Sequence, residues 1–241
     1  LRPGKTELMI SPKGHGTRAW RKEMFGPLST EHFTAVGEYG PYHIHLVTKY
    51  VHLGGVLHHS GEGRLELSRR VALAHQAFSK HRKLIYQNRA LPLGKRMEIF
   101  RSLILSRLLY GSDSWVLQDI LTKHRAHVAI MKLYRRLLGC AHEANISDDE
   151  VLFRLGMPSP TVLLRLARLR YLGSLCNIGN TACWGLLNAD RNWKQLVEDD
   201  FAWLWSNLSN TCHLGDPKLH MSRWLEILVW HRSYWRSLLR R

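Results

Sequence analysis

The feature that most constrains the fold is the stretch from residue 63 to residue 115, which predicts two amphipathic helices joined by a turn. In the first helix, apolar residues recur at steps of four and three and then one of seven, so they share one side. They are Leu67, Val71, Ala74, Phe78 and Ile85. The turn falls near Asn88, because Pro92 lacks an N–H group and disfavours helix in the residue before it. The second helix has a similar side, made of Met97, Phe100, Ile104 and Leu108.

The side of the first helix opposite the apolar stripe is basic. Arg69, Arg70, Lys80 and Lys83 lie there. In the whole chain, lysine and arginine total 35 against 19 acidic residues, a formal net charge of +16, and they are spread along the sequence. Such a surface attracts polyanions, so the first helix is predicted to join a hydrophobic core to a negatively charged partner.

Composition limits the class of protein. Hydrophobic residues make up 45% and charged residues 22% of the 241 residues, which are ordinary values for a globular protein. No apolar run approaches the roughly 18 residues that cross a bilayer. We therefore expect no membrane partner and an intracellular protein, in the nucleus or in a cytoplasmic ribonucleoprotein. Because the chain opens at Leu1 and runs straight into a charged segment, it is interpreted as part of a longer protein.

Cysteine spacing gives little support for a metal site. The four cysteines contain no Cys-x-x-Cys pair. Three of them can be combined on paper with one histidine, but their spacing matches no usual zinc pattern. These residues are Cys176, Cys183, Cys212 and His220. The sequence predicts neither a disulfide framework nor a metal site, and this metal group is only a minor alternative.

The first sixty residues predict a small β part. Residues 7–11 are a strand candidate, and residues 17–25 can make two helical turns. Residues 43–47 and 50–57 are predicted to be the two strands of a single hairpin. Histidines alternate with apolar residues in these strands, which favours half-exposed strands over metal ligation.

A third helix is predicted from residue 117 to residue 138, ending at Gly139. Its apolar side is expected to hold Leu117, Leu121, Val128, Met131 and Leu138. Its basic residues are Lys123, Arg125, Lys132, Arg135 and Arg136. The simplest interpretation of these basic residues is a solvent-exposed face, and contact with phosphate is the alternative.

Further helices are predicted in the last hundred residues. Ser147 and Glu150 form a capping box, and helices follow at 161–175, 191–208 and 222–241. The last helix has a stripe that is predicted to be core rather than a base-stacking platform. The stripe comprises Trp224, Leu228, His231, Trp235 and Leu238, and a separate basic row comprises Arg232, Arg236 and Arg240. The predicted fold class is mainly α, with a small antiparallel β element at the N-terminus.

Several motifs, in this order, resemble the C-terminal third of a reverse transcriptase from a non-LTR retrotransposon. Residues 4–7, Gly-Lys-Thr-Glu, resemble the family's Lys-Thr-acidic motif at the end of the palm. Tyr50, Leu53 and Gly54 resemble its Tyr-Leu-Gly primer-grip hairpin, with two residues intervening where the family commonly has none. Residues 70–78, together with the Tyr-Gly-Ser-Asp-Ser-Trp run that closes the second helix, resemble its thumb. The resemblance ends near residue 175.

The resemblance implies a palm-end remnant with the hairpin at residues 1–60, a helical thumb-like bundle at 61–140 and a helical C-terminal extension at 141–241. It implies that the chain holds the RNA or RNA–DNA template–primer duplex of an RNA-directed DNA polymerase, beside the upstream palm and fingers of the same polyprotein. The nucleic-acid-binding residues implied by the resemblance and the basic helix side are Lys5, Tyr50, Leu53, Gly54, Arg69, Arg70, Lys80, Arg82 and Lys83.

The resemblance places the polymerase aspartates, which hold two metal ions, before residue 4, where only residues 1–3 stand. Two adjacent aspartate pairs occur later and are predicted to lie in helices, where neither serves as the catalytic pair. They are Asp148 with Asp149 and Asp199 with Asp200. We therefore expect no catalytic residue and no cofactor in this chain, Mg²⁺ only in the complete polymerase, and no activity of the chain alone. The alternative is a stand-alone basic helical module that binds RNA or scaffolds a ribonucleoprotein.

Overall fold

The computed structural model describes residues 7–11, 14–26, 32–38, 40–52, 54–59, 63–117, 119–140, 146–178, 189–208 and 213–240. The chain divides into two compact units, Leu1–Arg69 and Arg70–Arg241. Helices dominate the described residues and the strands lie near the N-terminus, so the predicted fold class is confirmed. The part boundaries at residues 60 and 140 stay predictions. Within the described ranges, no helix combines the length and the apolar content that crossing a bilayer requires.

The described part of the first unit is built from short strands and one helix. They are β1 (Glu7–Leu8), α1 (Thr17–Phe25), β2 (His32–Gly37), β3 (Gly40–Leu46), β4 (Lys49–His52) and β5 (Gly55–His58). β3 is the middle strand of a three-stranded sheet, antiparallel to β2 and parallel to β1. β4 and β5 form a separate antiparallel hairpin. The predicted strand near residue 7 and the helix at 17–25 are confirmed.

The predicted single hairpin between residues 43–47 and 50–57 is wrong. β3 pairs with β2, a strand that the sequence analysis missed, and residues 50–57 fold back on themselves as β4 and β5. At each turn lies a glycine with a positive φ, Gly40 at 106° and Gly54 at 81°. Tight hairpin turns favour residues that tolerate this conformation, and the predicted link at residues 48–49 contains no glycine.

Helix α2 (Arg64–His81) begins in the first unit and ends in a π-helical turn, Arg82–Tyr86. Further described helical elements follow. They are α3 (Leu93–Phe100), a π turn (Arg101–Leu105), α4 (Ser106–Leu108), a 3-10 turn (Ser112–Ser114), α5 (Ile120–Leu138), α6 (Asp148–Leu155), α7 (Pro160–Ile178), α8 (Arg191–Leu208), α9 (Pro217–Trp230) and α10 (Arg232–Leu238). The predicted pair of helices with a turn near Asn88 is therefore confirmed.

The first core of the second unit forms where α2, α3 and its π turn meet α5 and α6. Phe78 stacks on Tyr86 with ring centroids 4.4 Å apart, and Phe100 lies edge-on to Phe78 at 6.3 Å. Aromatic pairs in these arrangements add to the stabilisation from buried area. Phe78 and Phe100, predicted for the apolar sides of the helix pair, are buried here, together with Ile104 and Leu108.

The second core joins α7 and α8 to α9 and α10. Phe201 contacts Trp224 and Trp235, with ring centroids 5.6 and 5.9 Å apart. The predicted tryptophan stripe is confirmed as core, apart from His231, which is exposed. His231 lies at the break between α9 and α10, so the single helix predicted from residue 222 is two helices.

The predicted apolar side of α5 is partly wrong. Leu121 and Val128 are exposed, whereas Ala126, Ile130 and Leu137 are buried. Apolar residues occur around most of this helix, so their spacing alone does not fix which side faces the core. The predicted stop at Gly139 is confirmed, with a φ of 90°.

Candidate nucleic-acid interface

In the first unit, two side chains of α2 hold the β4–β5 hairpin. Glu66 accepts a hydrogen bond from the Val56 backbone N–H at 2.8 Å. Arg69 donates from Nη1 to the carbonyl oxygen of Gly54 at 2.6 Å and also lies 3.8 Å from Glu66. Arg69 was predicted to lie on an open basic face. The structure corrects this, because its guanidinium binds the hairpin turn.

The remaining first-unit residues predicted for nucleic-acid binding are only partly described. Tyr50 lies on β4 with an exposed side chain, and its ring lies nearly parallel to that of His52, with centroids 6.2 Å apart. Gly54 lies in the turn of the same hairpin. Lys5 and Leu53 lie outside the described residues.

Arg70, predicted to track a nucleic-acid backbone, is buried. It is 6% exposed, and its guanidinium carbon lies 4.3 Å from the centre of the Tyr110 ring. This is a cation–π contact, which ties α2 to the segment that follows α4. The predicted exposure of Arg70 is wrong, because Tyr110, 40 positions along the chain, covers a side chain that the helix pattern assigned to solvent.

Lys80, Arg82 and Lys83, the last of the predicted residues, lie at the end of α2 and in its π turn. All three are exposed. The π turn changes the direction of successive side chains relative to a regular helix, and such turns are frequent at functional sites. Arg82 faces a groove that α5 completes.

We call this cavity the α2–α5 groove, and its volume is about 710 Å³. Its lining residues are His75, Phe78, Arg82, Gln87, His127, Val128, Met131, Lys132, Arg135, Arg136, Gly139 and Asp148. Phe78 and Met131 belong to the buried core. The polar side chains that line the groove are basic, imidazole and amide groups and the carboxylate of Asp148.

Arg136 is held in the groove by two contacts. Its Nη1 donates to Nδ1 of His75 at 2.9 Å, and its guanidinium carbon lies 4.4 Å from the centre of the Phe78 ring. A guanidinium can only donate, so Nδ1 of His75 accepts and this imidazole is neutral. Burial, together with nearby Arg136 and Lys132, lowers the pKa of His75. Burial and nearby Arg82 also lower the pKa of Arg136, so these positive groups repel one another.

Asp148 is the acidic residue among those that line the groove, and its carboxylate is hydrogen-bonded to Arg135 and His127. Arg135 donates from Nη2 at 2.7 Å, and Nε2 of His127 lies 2.8 Å from the other carboxylate oxygen. These hydrogen bonds lower the pKa of Asp148, so it is ionised at neutral pH. Among the described residues, Arg82, Lys132 and Arg136 form no ion pair with a carboxylate.

The arrangement suits an anion with several oxygens. Guanidinium groups present planar forks of donors that match phosphate, and the lysine adds a mobile positive charge. Three such groups converge on one groove without an acidic partner in the described part of the chain. A bound phosphate backbone would relieve their mutual repulsion, and the amide of Gln87 can both donate and accept beside it.

The two adjacent aspartate pairs do not fit a two-metal site. Asp148 binds Arg135 and His127 as described above. Asp200 is buried and accepts from Nε and Nη2 of Arg168 at 2.7 and 3.0 Å, with Arg165 at 3.6 Å. Burial raises the pKa of Asp200, although Arg168 acts against that rise. Among the described residues, no three His, Cys, Asp or Glu side chains are placed together so that they could hold a metal ion.

The α5 half of the groove was visible in the sequence, but its role was not. Lys132, Arg135 and Arg136 were interpreted most simply as a solvent-exposed face. What the sequence could not give is that all three line one groove together with Arg82 and His75. The signal that points to them is the basic run near the C-terminus of α5, which begins one residue after the core residue Met131.

Comparisons of the chain with models of protein families, with curated proteins and with solved structures gave no match. The resemblance to a reverse transcriptase therefore stays a prediction from the motifs.

Proposed function

We propose that this chain binds the phosphate backbone of a nucleic-acid duplex in the α2–α5 groove, as the template–primer-holding segment of a retrotransposon RNA-directed DNA polymerase. The observation that carries the proposal is the convergence of Arg82, Lys132 and Arg136 on one groove, without a carboxylate partner among the described residues. The order of the palm-end, hairpin and thumb motifs supports the polymerase part of the proposal.

The proposed contacts are independent of sequence. Arginine and lysine contacts to phosphate position a duplex but carry no base information. Double-stranded nucleic acid of the A form, which includes RNA–DNA hybrids, is bound mainly through backbone and 2′-hydroxyl groups. Gln87 lines the groove and has an amide that suits a 2′-hydroxyl. Lys80 and Lys83 are exposed close to Arg82 in sequence and would extend the basic surface.

The β4–β5 hairpin is proposed to position the primer end, as the motif resemblance implies. Its turn at Gly54 is fixed by Arg69, and the Val56 backbone is fixed by Glu66. A fixed turn with an exposed Tyr50 offers a rigid backbone and one aromatic ring to a strand end. This part of the proposal concerns the first unit alone.

The same groove would serve a stand-alone RNA-binding module or a ribonucleoprotein scaffold. Contacts to phosphate do not distinguish such a module from a polymerase segment. The sequence encoded upstream of Leu1 separates the two proposals. An aromatic-x-Asp-Asp motif there supports the polymerase segment, whereas an unrelated upstream sequence supports the stand-alone module.

A pair of matched double variants tests the groove. Arg82→Gln with Lys132→Gln removes two groove charges. The control, Arg191→Gln with Lys194→Gln, removes one arginine and one lysine from exposed positions on α8 that do not line the α2–α5 groove. Fluorescence anisotropy with a labelled RNA–DNA duplex should show about tenfold or greater weakening for the groove variant only. Equal weakening by both variants would show that net charge, and not this groove, binds the duplex.

A further inference from the structure

A second basic groove lies in the C-terminal half of the second unit, and we call it the α7–α10 groove. Its volume is about 280 Å³. Its lining residues are Arg170, Gly173, Ser174, Arg232, Trp235, Arg236, Leu239 and Arg240. Four of these are exposed arginines, and no carboxylate lines the groove within the described residues. None of them lines the α2–α5 groove.

Close packing of α7 against α10 builds the groove. A Cβ atom added at Gly173 would lie 2.6 Å from Nε1 of Trp235, so only glycine allows this approach. Trp235 donates from Nε1 to the carbonyl oxygen of Leu169 at 3.3 Å, which fixes the two helices in register. Arg170, one helical turn before Gly173, is thereby placed beside the arginine row of α10.

The four arginines differ from the structural arginines of the same unit. Arg168 is buried and forms a two-bond ion pair with Asp200, and Arg165 lies beside the same carboxylate. By contrast, the groove arginines are exposed and form no ion pair with any described carboxylate. Four positive charges that meet at one groove repel each other, and a bound polyanion removes that cost.

The spacing of the arginine row matches a nucleic-acid strand. Arg232 and Arg236 lie one turn apart on α10, which is about 6 Å of helical rise, and Arg240 follows the end of the helix. Phosphates of one strand advance by about 3.4 Å each along a duplex axis, so the two helical arginines can meet neighbouring phosphates of one strand. Trp235 is only 2% exposed and its indole N–H is hydrogen-bonded to α7, so its ring offers no stacking surface for a base.

We infer that the α7–α10 groove binds the phosphate backbone of a second nucleic-acid strand, so that the chain holds two strands or duplexes at once. This inference goes beyond the proposed function, and the count of two strands rests on it, because the first strand occupies the α2–α5 groove and the two grooves share no residue. Recognition is through charge and phosphate geometry, without base reading.

The test uses the full chain and a labelled single strand of 12 nucleotides. The groove variant carries Arg232→Gln and Arg236→Gln. The control variant carries Arg191→Gln and Arg223→Gln, which remove two exposed arginines that line neither groove. Thermal melts verify that both variants fold. We expect two strands per chain for the unmodified protein and the control, and one for the groove variant. For the binding of the strand that the groove variant loses, the slope of log K against log salt should be at least about 1.4 in magnitude, since two phosphates contribute about 0.7 each.

The outcomes are separable from those of the proposed function. Loss of the second strand only in the Arg232 and Arg236 variant supports the inference, whatever the Arg82 and Lys132 variant does. A stoichiometry of one that the Arg232 and Arg236 variant retains overturns it, whereas a single bound strand that this variant loses overturns the proposed α2–α5 site and not this inference. Equal losses in the groove and control variants overturn it, and so does binding to anionic phospholipid vesicles with no binding to the strand.

Discussion

At the residue scale, the arginines of this chain divide by what their guanidinium groups meet. Arg70 stacks on Tyr110, and Arg168 pairs with Asp200, whereas Arg82 faces an open groove. The partners of the first two lie 40 and 32 positions away in sequence. A sequence pattern identifies arginines that lie off the apolar stripe, but it cannot say which of them a distant segment will cover. The predicted exposure is therefore found at Arg82 and not at Arg70, and the binding role of Arg82 stays a prediction.

The first prediction concerns Arg70. Replacing it by Gln removes the cation–π contact with Tyr110 and should lower the free energy of unfolding by about 0.5–2 kcal/mol. The salt dependence of duplex binding should not change, since a buried guanidinium contacts no phosphate. Urea melts and salt titrations measure both quantities. Lys80→Gln, on the exposed side of the same helix, is the control and should change stability by less than about 0.5 kcal/mol. If Arg70→Gln flattened the salt dependence of duplex binding and left the stability unchanged, Arg70 would contact the nucleic acid and this prediction would be wrong.

The second prediction concerns His75, whose pKa is lowered in the folded protein by burial and by Arg136 and Lys132. A lowered pKa means that its contribution to stability is present above the unfolded pKa of about 6.5 and is lost as pH falls through the folded value. A bound polyanion favours the charged imidazole, so the duplex should raise the pKa of His75. NMR titration of the histidine resonances with and without duplex measures this change. His213, which does not line the groove, provides the reference signal.

If the pKa of His75 does not move in a saturated complex, the duplex does not lie in the α2–α5 groove. If it moves equally in the Arg82→Gln, Lys132→Gln variant at saturation, the anion reaches His75 without these two side chains. The first result contradicts the proposed site, and the second assigns the contact to Arg136.

At the element scale, the helices could be predicted and the pairing of strands could not. The ends of α5 and α6 follow from local chemistry, since Gly139 and Gly156 adopt positive φ and Ser147 caps the Glu150 N–H. Strand pairing depends on where the chain can turn tightly, and glycines with positive φ lie at the two turns that form and not in the predicted link. The predicted buried side of α5 was partly wrong for a related reason, because contacts with the other helices decide which side of α5 is buried.

The third prediction concerns the packing of α3. Phe100 is fully buried among Phe78, Tyr86 and Tyr134, so Phe100→Ala should lower the free energy of unfolding by about 3–5 kcal/mol through lost burial and a cavity. Phe153→Ala on α6 is the matched control, since that ring is 83% exposed, and its effect should stay within about 0.5 kcal/mol. Denaturant melts at equal protein concentration compare the two. A loss below about 1 kcal/mol for Phe100→Ala would show that the first core is not packed around this ring.

At the scale of the whole molecule, the net charge of +16 predicted a polyanion partner but not where it binds. The second unit contains two separate cores, and a basic groove lies beside each one. Other arginines of this unit are neutralised by carboxylates, Arg135 by Asp148 at the edge of the first groove and Arg168 by Asp200. The positive charge that is not paired is therefore concentrated on particular surfaces, and the net charge alone does not show where these surfaces lie.

The measurement that tests the central claim most directly is the salt dependence of RNA–DNA duplex binding by the unmodified chain and the two matched variants. If about five phosphates are neutralised, the slope of log K against log salt should be about −3.5 to −4.5. Removing Arg82 and Lys132 should flatten it by about 1.4 to 1.8, whereas removing Arg191 and Lys194 should leave it within error. A slope near zero for the unmodified chain, or the same flattening in both variants, would contradict binding of the duplex backbone in the α2–α5 groove.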